Sequence, residues 1–196
     1  WRLSPEHWIA VTGTNGKTTT TSLVNHILNE SGRASVAVGN IGLAPIAAVD
    51  DRAPGSWFAA ELSSYQLATT SMLHPRVAVL MNITPDHLAW HGTLDAYAAA
   101  KRKIFANQEP GDLAVVCVED AGARAALSAA RSTGAAVCEL SHDDSGAASA
   151  AFCDEGVLVV RLNGVEHRLV PTAELRIRGA HNELNALAAA AAALWG

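Results

Sequence analysis

The stretch Val11-Thr12-Gly13-Thr14-Asn15-Gly16-Lys17-Thr18-Thr19 decides the fold class of this chain. It follows an apolar run at residues 8–12 and opens a helical pattern at 17–30, so strand, glycine loop and helix come in the order of a phosphate-binding loop. Glycines let the backbone N–H groups approach phosphate oxygens, and the helix N-terminus adds partial positive charge. We therefore predict an ATP or GTP site made by Gly13, Thr14, Asn15, Gly16, Lys17, Thr18 and Thr19.

Two side chains of this loop have specific expected roles. Lys17 is expected to reach the β- and γ-phosphates, and the Thr18 hydroxyl is an oxygen ligand of the kind that Mg²⁺ needs. The loop is shorter than the general pattern, because Val11 stands where the first glycine would be. The alternative is a glycine-rich turn with a solvent-exposed lysine, but the Lys-Thr-Thr ending between a strand and a helix favours the phosphate site.

Outward from the loop, short β-rich apolar runs alternate with longer helical patterns. This alternation predicts an α/β fold: a mostly parallel sheet flanked by helices, similar to phosphate-loop NTPases. The predicted strands are residues 8–12, 35–38, 57–62, 77–82, 113–118 and 136–140, and the predicted helices are 17–30, 93–107, 121–131 and 180–194.

The pattern changes after residues 142–149, which are rich in Asp, Ser, Gly and Ala. Apolar runs at 151–154, 156–162 and 165–170 then predict a small antiparallel β meander near 151–170. Asn163-Gly164 between two of these runs is a strong hairpin signal, because both central positions of that turn need positive φ.

Composition sets the outer limits of the interpretation. With 196 residues, 49% of them apolar and 17% charged, the chain is expected to fold as one globular domain. A net charge of −5 gives no general reason to bind nucleic acid. The longest apolar stretch, residues 186–195, is about half of the roughly 20 residues that cross a bilayer, so no membrane span is expected.

The cysteines and the first residues bear on the setting. Cys117, Cys138 and Cys153 are odd in number and far apart, which argues against disulfides and a structural zinc site and favours a reducing, cytoplasmic environment. The chain opens on Trp1 without a methionine or a signal-peptide pattern, so we expect it to be part of a longer protein.

Candidate metal-side residues follow two predicted strands. Glu61 lies at the end of the run 57–62, and Asp86-His87 comes after the run 77–82. Ligands of open parallel sheets bind beyond the carboxyl ends of the strands, so these residues are expected to gather at the phosphate loop, where carboxylates can hold Mg²⁺. Taken singly, Glu61 could be a solvated strand end or a helix cap, and His87 a structural histidine. We expect surface or packing roles for His26, His74 and His91.

Six motifs in this order resemble the central ATP-binding domain of the Mur ligases. Beside the phosphate loop they are Gly39-Asn40-Ile41-Gly42, Glu61-Leu62-Ser63-Ser64-Tyr65-Gln66-Leu67, Asn82-Ile83-Thr84-Pro85-Asp86-His87-Leu88, Ala100-Lys101-x-x-Ile104-Phe105 and Gly179-x-His181-Asn182-x-x-Asn185. The phosphate loop is shared with the similar folylpolyglutamate synthetases. The Gly-Asn-Ile-Gly and Glu-Leu-Ser-Ser-Tyr-Gln-Leu motifs resemble the D-glutamate-adding branch.

The resemblance implies an ATP-dependent ligase of bacterial peptidoglycan precursor synthesis. Its substrates would be UDP-N-acetylmuramoyl-L-alanine, D-glutamate and ATP, and its reaction would pass through an acyl phosphate. It also implies that residues 1–196 are a single middle domain, without the N-terminal UDP-binding domain and the C-terminal amino-acid-binding domain. This chain alone is therefore expected to be inactive as a ligase.

The resemblance also implies the site residues. Lys17, Glu61, His87 and Lys101 would be catalytic, with one Mg²⁺ on Thr18 and Glu61 and a second on His87. Lys101 would be carbamylated to form a further metal ligand. That reaction needs a neutral amine, which a lowered lysine pKa would favour. From its own surroundings, Lys101 could instead be a surface lysine beside Arg102 and Lys103.

The remaining implied contacts are with the base and the substrate. Asn182 and Asn185, three residues apart on one helix face, would read an adenine edge. Asn40, Ser63 and Gln66 would lie near the muramoyl-peptide substrate, and Asp86 would help to seat the glutamate. The chain departs from the family at Ala89 and Trp90, where relatives usually have an acidic and a basic residue.

Three alternatives remain beside the D-glutamate ligase. One is another Mur-type or folylpolyglutamate-type amide ligase, and another is a nucleotide switch or hydrolase with a phosphate loop. The Asn-Lys-x-Asp motif of many guanine readers is missing from the chain. The third is a non-catalytic binding module, which is disfavoured because Lys17, Thr18, Glu61, His87 and Lys101 occur together.

Overall fold

A computed structural model, which describes Ser4 and residues 6–196, contains one nine-stranded sheet in the order β2-β3-β1-β4-β5-β6-β7-β8-β9. The strands are β1 (Trp8–Thr12), β2 (Ser35–Gly39), β3 (Trp57–Glu61), β4 (Val77–Leu80), β5 (Leu113–Cys117), β6 (Ala136–Leu140), β7 (Ala150–Asp154), β8 (Val157–Leu162) and β9 (Val165–Pro171). Strands β1 to β7 pair in parallel, whereas β8 and β9 are antiparallel. The predicted mostly parallel α/β fold is confirmed.

Helices cover the two faces of the sheet. They are α1 (Lys17–Glu30), α2 (Pro45–Asp50), α3 (Ser64–Thr69), α4 (Leu88–His91), α5 (Leu94–Arg102), α6 (Ala121–Arg124), α7 (Leu127–Arg131) and α8 (Ala180–Trp195). The central strands β1, β3, β4 and β5 are buried along their whole length, as expected of parallel strands that are covered on both faces.

Two apolar cores lie on opposite faces of the sheet. On one face, α1 and α8 pack through Val24, Leu28 and Leu187, and the small alanines of α8 let its backbone approach the strands closely. On the other face, Leu67 of α3 and Tyr97 of α5 pack against strand residues. Both cores extend to the carboxyl ends of the central strands, so they fix the loops that follow these strands.

The predicted meander is present as β7, β8 and β9. Asn163 and Gly164 both have positive φ, 51° and 81°, as the predicted hairpin turn requires. The meander belongs to the main sheet, because β7 pairs in parallel with β6 through Glu139 and Leu140.

Two predicted helices differ from the structure. The prediction of one helix over 93–107 was too long: α5 is capped by the Thr93 hydroxyl, ends at Arg102 and continues as a 3₁₀ turn over Lys103–Phe105. The prediction of one helix over 121–131 was wrong at its centre. There the N–H of Ala126 donates to the carbonyl oxygen of Ala123, and this tighter 3₁₀-type bond separates α6 from α7.

Three short helices, α2, α3 and α4, were not predicted at all. They span four to six residues. Pro45 stands at the first position of α2, and Ser63 caps α3. All three cysteines are free. Among the residues that the structure describes, no helix is both long enough and apolar enough to cross a bilayer.

Candidate active site

The glycine loop lies between β1 and α1, at the carboxyl end of the sheet. Gly16 caps α1 with φ 81°, and a Cβ there would come within 2.5 Å of the Asn185 side-chain oxygen. Asn82, after β4, holds the loop from its other side. Its amide oxygen accepts from the N–H of Asn15 at 2.7 Å, and its amide nitrogen donates to the Asn15 carbonyl at 3.2 Å. The loop is therefore fixed before any ligand arrives.

The side chains of the loop are arranged around Thr14. Its hydroxyl accepts from the N–H of Thr84 at 3.0 Å and lies 3.0 Å from the Tyr97 hydroxyl. Lys17 turns back over the loop, and its ammonium group donates to the Thr14 carbonyl at 2.9 Å. Gly16, which caps α1, has no side chain that could accept from the first turn, so in the described structure the capping position itself leaves these N–H groups open to a ligand.

Glu61 ends β3 beneath the loop and is 1% exposed. Its carboxylate accepts from the Thr18 hydroxyl at 2.7 Å and from the Asn40 amide at 2.8 Å. A carboxylate and a hydroxyl side by side form an oxygen donor set that suits Mg²⁺, which keeps its remaining sites for water and phosphate. No cluster of three His, Cys, Asp or Glu side chains able to hold a metal occurs in the described part of the chain.

Lys101, on α5, is buried rather than on the surface, with an exposed fraction of 1%. Its ammonium group donates to the carbonyl oxygen of Gly13 at 2.7 Å and lies 4.8 Å from the centre of the Tyr97 ring. Burial, aided by the charge of Lys17, lowers the pKa of Lys101 to about 7, against an opposing effect of Asp86. A neutral amine is therefore accessible near neutral pH.

Asp86 and His87 lie in the segment between β4 and α4. His87 has φ 52°, and its backbone N–H donates to the Asp86 carboxylate at 2.8 Å. Its ring packs 5.0 Å from that of Tyr65. The left-handed backbone turns the chain abruptly after β4 and brings the imidazole to the mouth of the site.

These residues enclose a cavity of about 250 Å³, the transfer cavity. It is lined by Gly13, Thr14, Lys17, Asn40, Ser63, Ser64, Tyr65, Asp86, His87, Tyr97 and Lys101. Gln66 is placed differently from the other predicted substrate contacts: its side-chain oxygen accepts from the N–H and hydroxyl of Ser63, at 2.8 and 2.9 Å, in a capping box at the start of α3.

A second cavity of about 350 Å³, the base cavity, lies on the other side of the loop. It is lined by Asn15, Gly16, Met81, Asn82, Cys117, Glu119, Asp120, His181, Leu184 and Asn185. Asn185 is buried, accepts from the Thr20 hydroxyl at 3.2 Å and donates to the Asn182 amide oxygen at 2.9 Å. Asn182 itself donates to the carbonyl of Arg178 and is not among the lining residues.

A family model described as the Mur ligase middle domain matches residues 11–193. The chain belongs to the Mur ligase middle-domain family. Among curated relatives, UDP-N-acetylmuramoylalanine--D-glutamate ligase of Pelotomaculum thermopropionicum is 44% identical over 94% of this chain and 40% of its own length. The protein of the same name from Salinibacter ruber is 42% identical over 94% of this chain and 42% of its own length.

Solved structures support the same Mur ligase fold. A UDP-N-acetylmuramoyl-L-alanyl-D-glutamate--2,6-diaminopimelate ligase superposes with a TM-score of 0.75 and 27% identity, covering 97% of this chain and 43% of the other. The chain spans about 40% of the length of the curated relatives that it matches. The family prediction from the sequence motifs is confirmed.

Sequence reasoning missed some residues of this Mur ligase site. Tyr97 lines the transfer cavity. His91, for which a surface or packing role was expected, does pack: its Nε2 atom lies 2.9 Å from the Ser64 hydroxyl, and its ring centre lies 5.2 Å from that of Tyr97. His181 lines the base cavity. Asn82 and His181 lie inside quoted motifs, so position alone could have flagged them. His74, paired with Asp112, and exposed His26 lie away from the two cavities.

Proposed function

We propose that this chain is the ATP-binding catalytic domain of a ligase that adds D-glutamate to UDP-N-acetylmuramoyl-L-alanine. The observation that carries the proposal is that two buried charged side chains contact the same glycine loop in a chain of this family. Glu61 accepts from the Thr18 hydroxyl, and Lys101 donates to the Gly13 carbonyl oxygen. Two curated relatives at 44% and 42% identity bear the name of a D-glutamate ligase. The same Mur-type site could serve another amino acid, so the substrate belongs to the proposal.

The reaction transfers the γ-phosphoryl group of ATP to the terminal carboxylate of the substrate, and ADP leaves. The nitrogen of D-glutamate then bonds to the acyl carbon, loses a proton, and inorganic phosphate leaves. Both phosphate and carboxylate are anionic, so the site must hold cationic and N–H groups in place beforehand. Lys17 and the N–H groups at the start of α1 are proposed to provide them at the loop.

Thr18 and Glu61 would hold one Mg²⁺, and His87, with Lys101 if it is carbamylated, a second. When bound, these ions supply positive charge that offsets the charge of the phosphates. Carbamylation of Lys101 requires its uncharged amine to attack CO₂, with loss of a proton. The lowered pKa of about 7 supports that step, since much of the amine is neutral near physiological pH.

Substrate contacts are assigned by the position of each side chain. Asn40, Ser63 and Asp86 line the transfer cavity, beside the phosphate loop, and are proposed to face the substrate carboxylate end and the incoming glutamate. Gln66 is proposed to act near the substrate indirectly. Its side-chain oxygen accepts from the N–H and hydroxyl of Ser63 and so fixes the position of Ser63. Asn185, with Asn182 hydrogen-bonded to it, is proposed to form the adenine-reading edge.

The domain organisation is part of the proposal. Residues 1–196 would form one middle domain, while the uridine-nucleotide and amino-acid sites would come from parts of the protein outside this chain. The coverage of about 40% of each relative supports this division. Without those sites the chain is proposed to have no ligase activity alone. Three free cysteines support a reducing, cytoplasmic setting.

Calorimetric titration of ATP with Mg²⁺ tests the nucleotide site. We expect the chain to bind ATP, Lys17→Ala to weaken binding at least about tenfold, and Lys103→Ala, a matched change of an exposed lysine, to leave it unchanged. Asn182→Ala should reduce the preference for ATP over GTP. Equal affinities in the native chain and Lys17→Ala, or a folded chain that binds no ATP, would contradict the proposed nucleotide site.

A further inference from the structure

His142 joins the two walls of the base cavity, although it does not line that cavity. One wall is the segment after β5, with Glu119, and the other is the start of α8. The Nδ1 atom of His142 lies 2.9 and 3.0 Å from the two carboxylate oxygens of Glu119. Its Nε2 atom lies 3.1 Å from the carbonyl oxygen of Ala180, the first residue of α8.

The chemistry of these partners fixes the protonation state of the ring. A carboxylate and a backbone carbonyl can only accept hydrogen bonds, so both ring nitrogens must donate, and only the imidazolium form carries two N–H groups. Glu183 of α8 adds a second carboxylate 4.0 Å from Nε2. The neutral ring can keep one of the two bonds but not both.

We propose that protonated His142 is a positioning residue that holds the two walls of the base cavity together, so that nucleotide affinity falls when the ring loses its proton. This inference rests on the proposed nucleotide site. The effect is transmitted through Glu119 and the start of α8, because these elements supply Glu119, His181, Leu184 and Asn185 to the cavity.

The charged surroundings of His142 agree with this assignment. Burial by itself lowers the pKa of His142, but the bond to Ala180 and the charges of Glu119 and Glu183 outweigh it, so the pKa is raised above its usual value. The backbone of Cys153, on β7, donates to the His142 carbonyl, and burial raises the pKa of its thiol to about 11, so this neighbour is uncharged at neutral pH. The Asp120 carboxylate faces away, toward the N–H groups of Ile83 and Ala123.

The sign of the pH effect follows from the raised pKa. Both ring hydrogen bonds are present at pH values below about 6.5, the ordinary pKa of histidine, and one of them is lost as the pH rises through the higher folded-state pKa. The backbone N–H of His142, which also donates to the Glu119 carboxylate, does not titrate, so the bridge is weakened rather than removed. A nucleotide that needs both walls in place therefore binds more weakly above that pH.

The test compares ATP-Mg²⁺ affinity at about pH 6 and about pH 8 in three proteins: the native chain, His142→Gln and His167→Gln. His167 is an exposed histidine on β9 and serves as the matched control. The protonation of ATP and of Lys101 changes with pH in the same way in all three proteins. A difference in the pH dependence of affinity between His142→Gln and the other two therefore reports on His142. We expect the native chain and the control to lose about fivefold more affinity with rising pH than His142→Gln does. Equal losses in all three proteins would overturn the proposal.

A second measurement needs no nucleotide. Amide hydrogen exchange at residues 180–184 gives protection factors for the start of α8, and NMR titration gives the pKa of His142. We expect protection there to fall with rising pH in the native chain but not in His142→Gln, and Glu119→Gln to lower the pKa of His142. If the chain bound no nucleotide, the proposed function would be contradicted, but the protection factors would still test whether His142 bridges Glu119 and α8. Unchanged protection would overturn the bridge alone.

Discussion

At the scale of single residues, Lys101 shows how burial creates chemistry. Its ammonium group donates to the Gly13 carbonyl oxygen at 2.7 Å and to the Thr12 hydroxyl at 3.4 Å, and it lies against the Tyr97 ring. No carboxylate is within ion-pair distance of it among the described residues. A buried cation without a paired anion favours its neutral form. The lowered pKa that the proposed carbamylation would require should therefore also appear as a cost to stability at low pH.

Lys101 predicts a pH-dependent stability. The folded-state pKa is about 7 and the unfolded value 10.5, so between them the unfolded chain binds the proton and the folded chain does not. The free energy of unfolding attributable to Lys101 should thus rise with pH from 7 toward 10, by up to about 1.4 kcal/mol per pH unit. Urea unfolding of the native chain and Lys101→Met in CO₂-free buffer at several pH values measures this difference.

Lys103→Met is the matched control for that series. Lys103 lies two residues further along the chain and is exposed, so its removal should shift stability by a constant amount over the same pH range. A difference between the native chain and Lys101→Met that stays flat with pH would show that the folded-state pKa is not lowered.

Gly16 predicts a second effect at this scale. Gly16→Ala places a Cβ in the left-handed region and within 2.5 Å of the Asn185 amide oxygen. We expect a loss of about 1–3 kcal/mol in the free energy of unfolding and a loss of ATP binding. In the double variant with Asn185→Ala, the steric part should be relieved and only the backbone cost should remain. Strictly additive losses in this cycle would argue against the close approach.

At the scale of secondary-structure elements, long and short elements differ in how far sequence predicts them. The predicted strand at 57–62 matches β3 to within one residue, because its apolar β-formers are buried on both faces. Helix α3 was missed because six residues give no period, and its signal is local: Ser63 and Gln66 form a capping box. The position of Glu61 at the end of a predicted strand indicated that its side chain would lie beside the phosphate loop. The burial of Lys101 depends on how α5 packs on the sheet, which no local pattern encodes.

The capping box predicts how α3 supports the substrate side of the site. Ser63→Ala should lower the free energy of unfolding by about 1 kcal/mol, because the N–H of Gln66 loses its acceptor. Gln66→Ala should have a similar effect, and the double variant should lose less than the sum, since the two side chains bond each other. Chemical denaturation measures all three.

Thr69→Ala, at the last position of the same helix, is the control and should change stability by less than about 0.5 kcal/mol. Full additivity of Ser63→Ala and Gln66→Ala would mean that the two side chains act independently, and the capping box would then not describe the start of α3 in solution.

At the scale of the whole molecule, one sheet connects the phosphate site to the meander. Helix α8 packs along one face, and the core on that face runs from Ile9 of β1 to Val160 of β8, with Leu187 of α8 fully buried between the helices and the strands. The meander has a small core of its own, Ala150, Phe152 and Val159, which is too small to hold three strands alone. Its stability must come from the shared core.

This continuity predicts a single cooperative unfolding unit. Val160→Ala, in the meander, should lower the free energy of unfolding of the whole domain by about 1–3 kcal/mol. The rate of amide exchange should therefore rise by the same factor in peptides from β1 and β3 as in peptides from β8. Hydrogen exchange with mass spectrometry measures both regions at once. The exposed change Val165→Ala on β9 is the control and should move neither. Faster exchange confined to β7–β9 in Val160→Ala would show that the meander opens independently. Helix α8, which forms one wall of the base cavity, contacts both the central strands β4 and β5 and the meander strands β7 and β8. In that case these contacts would not couple the meander to the base cavity.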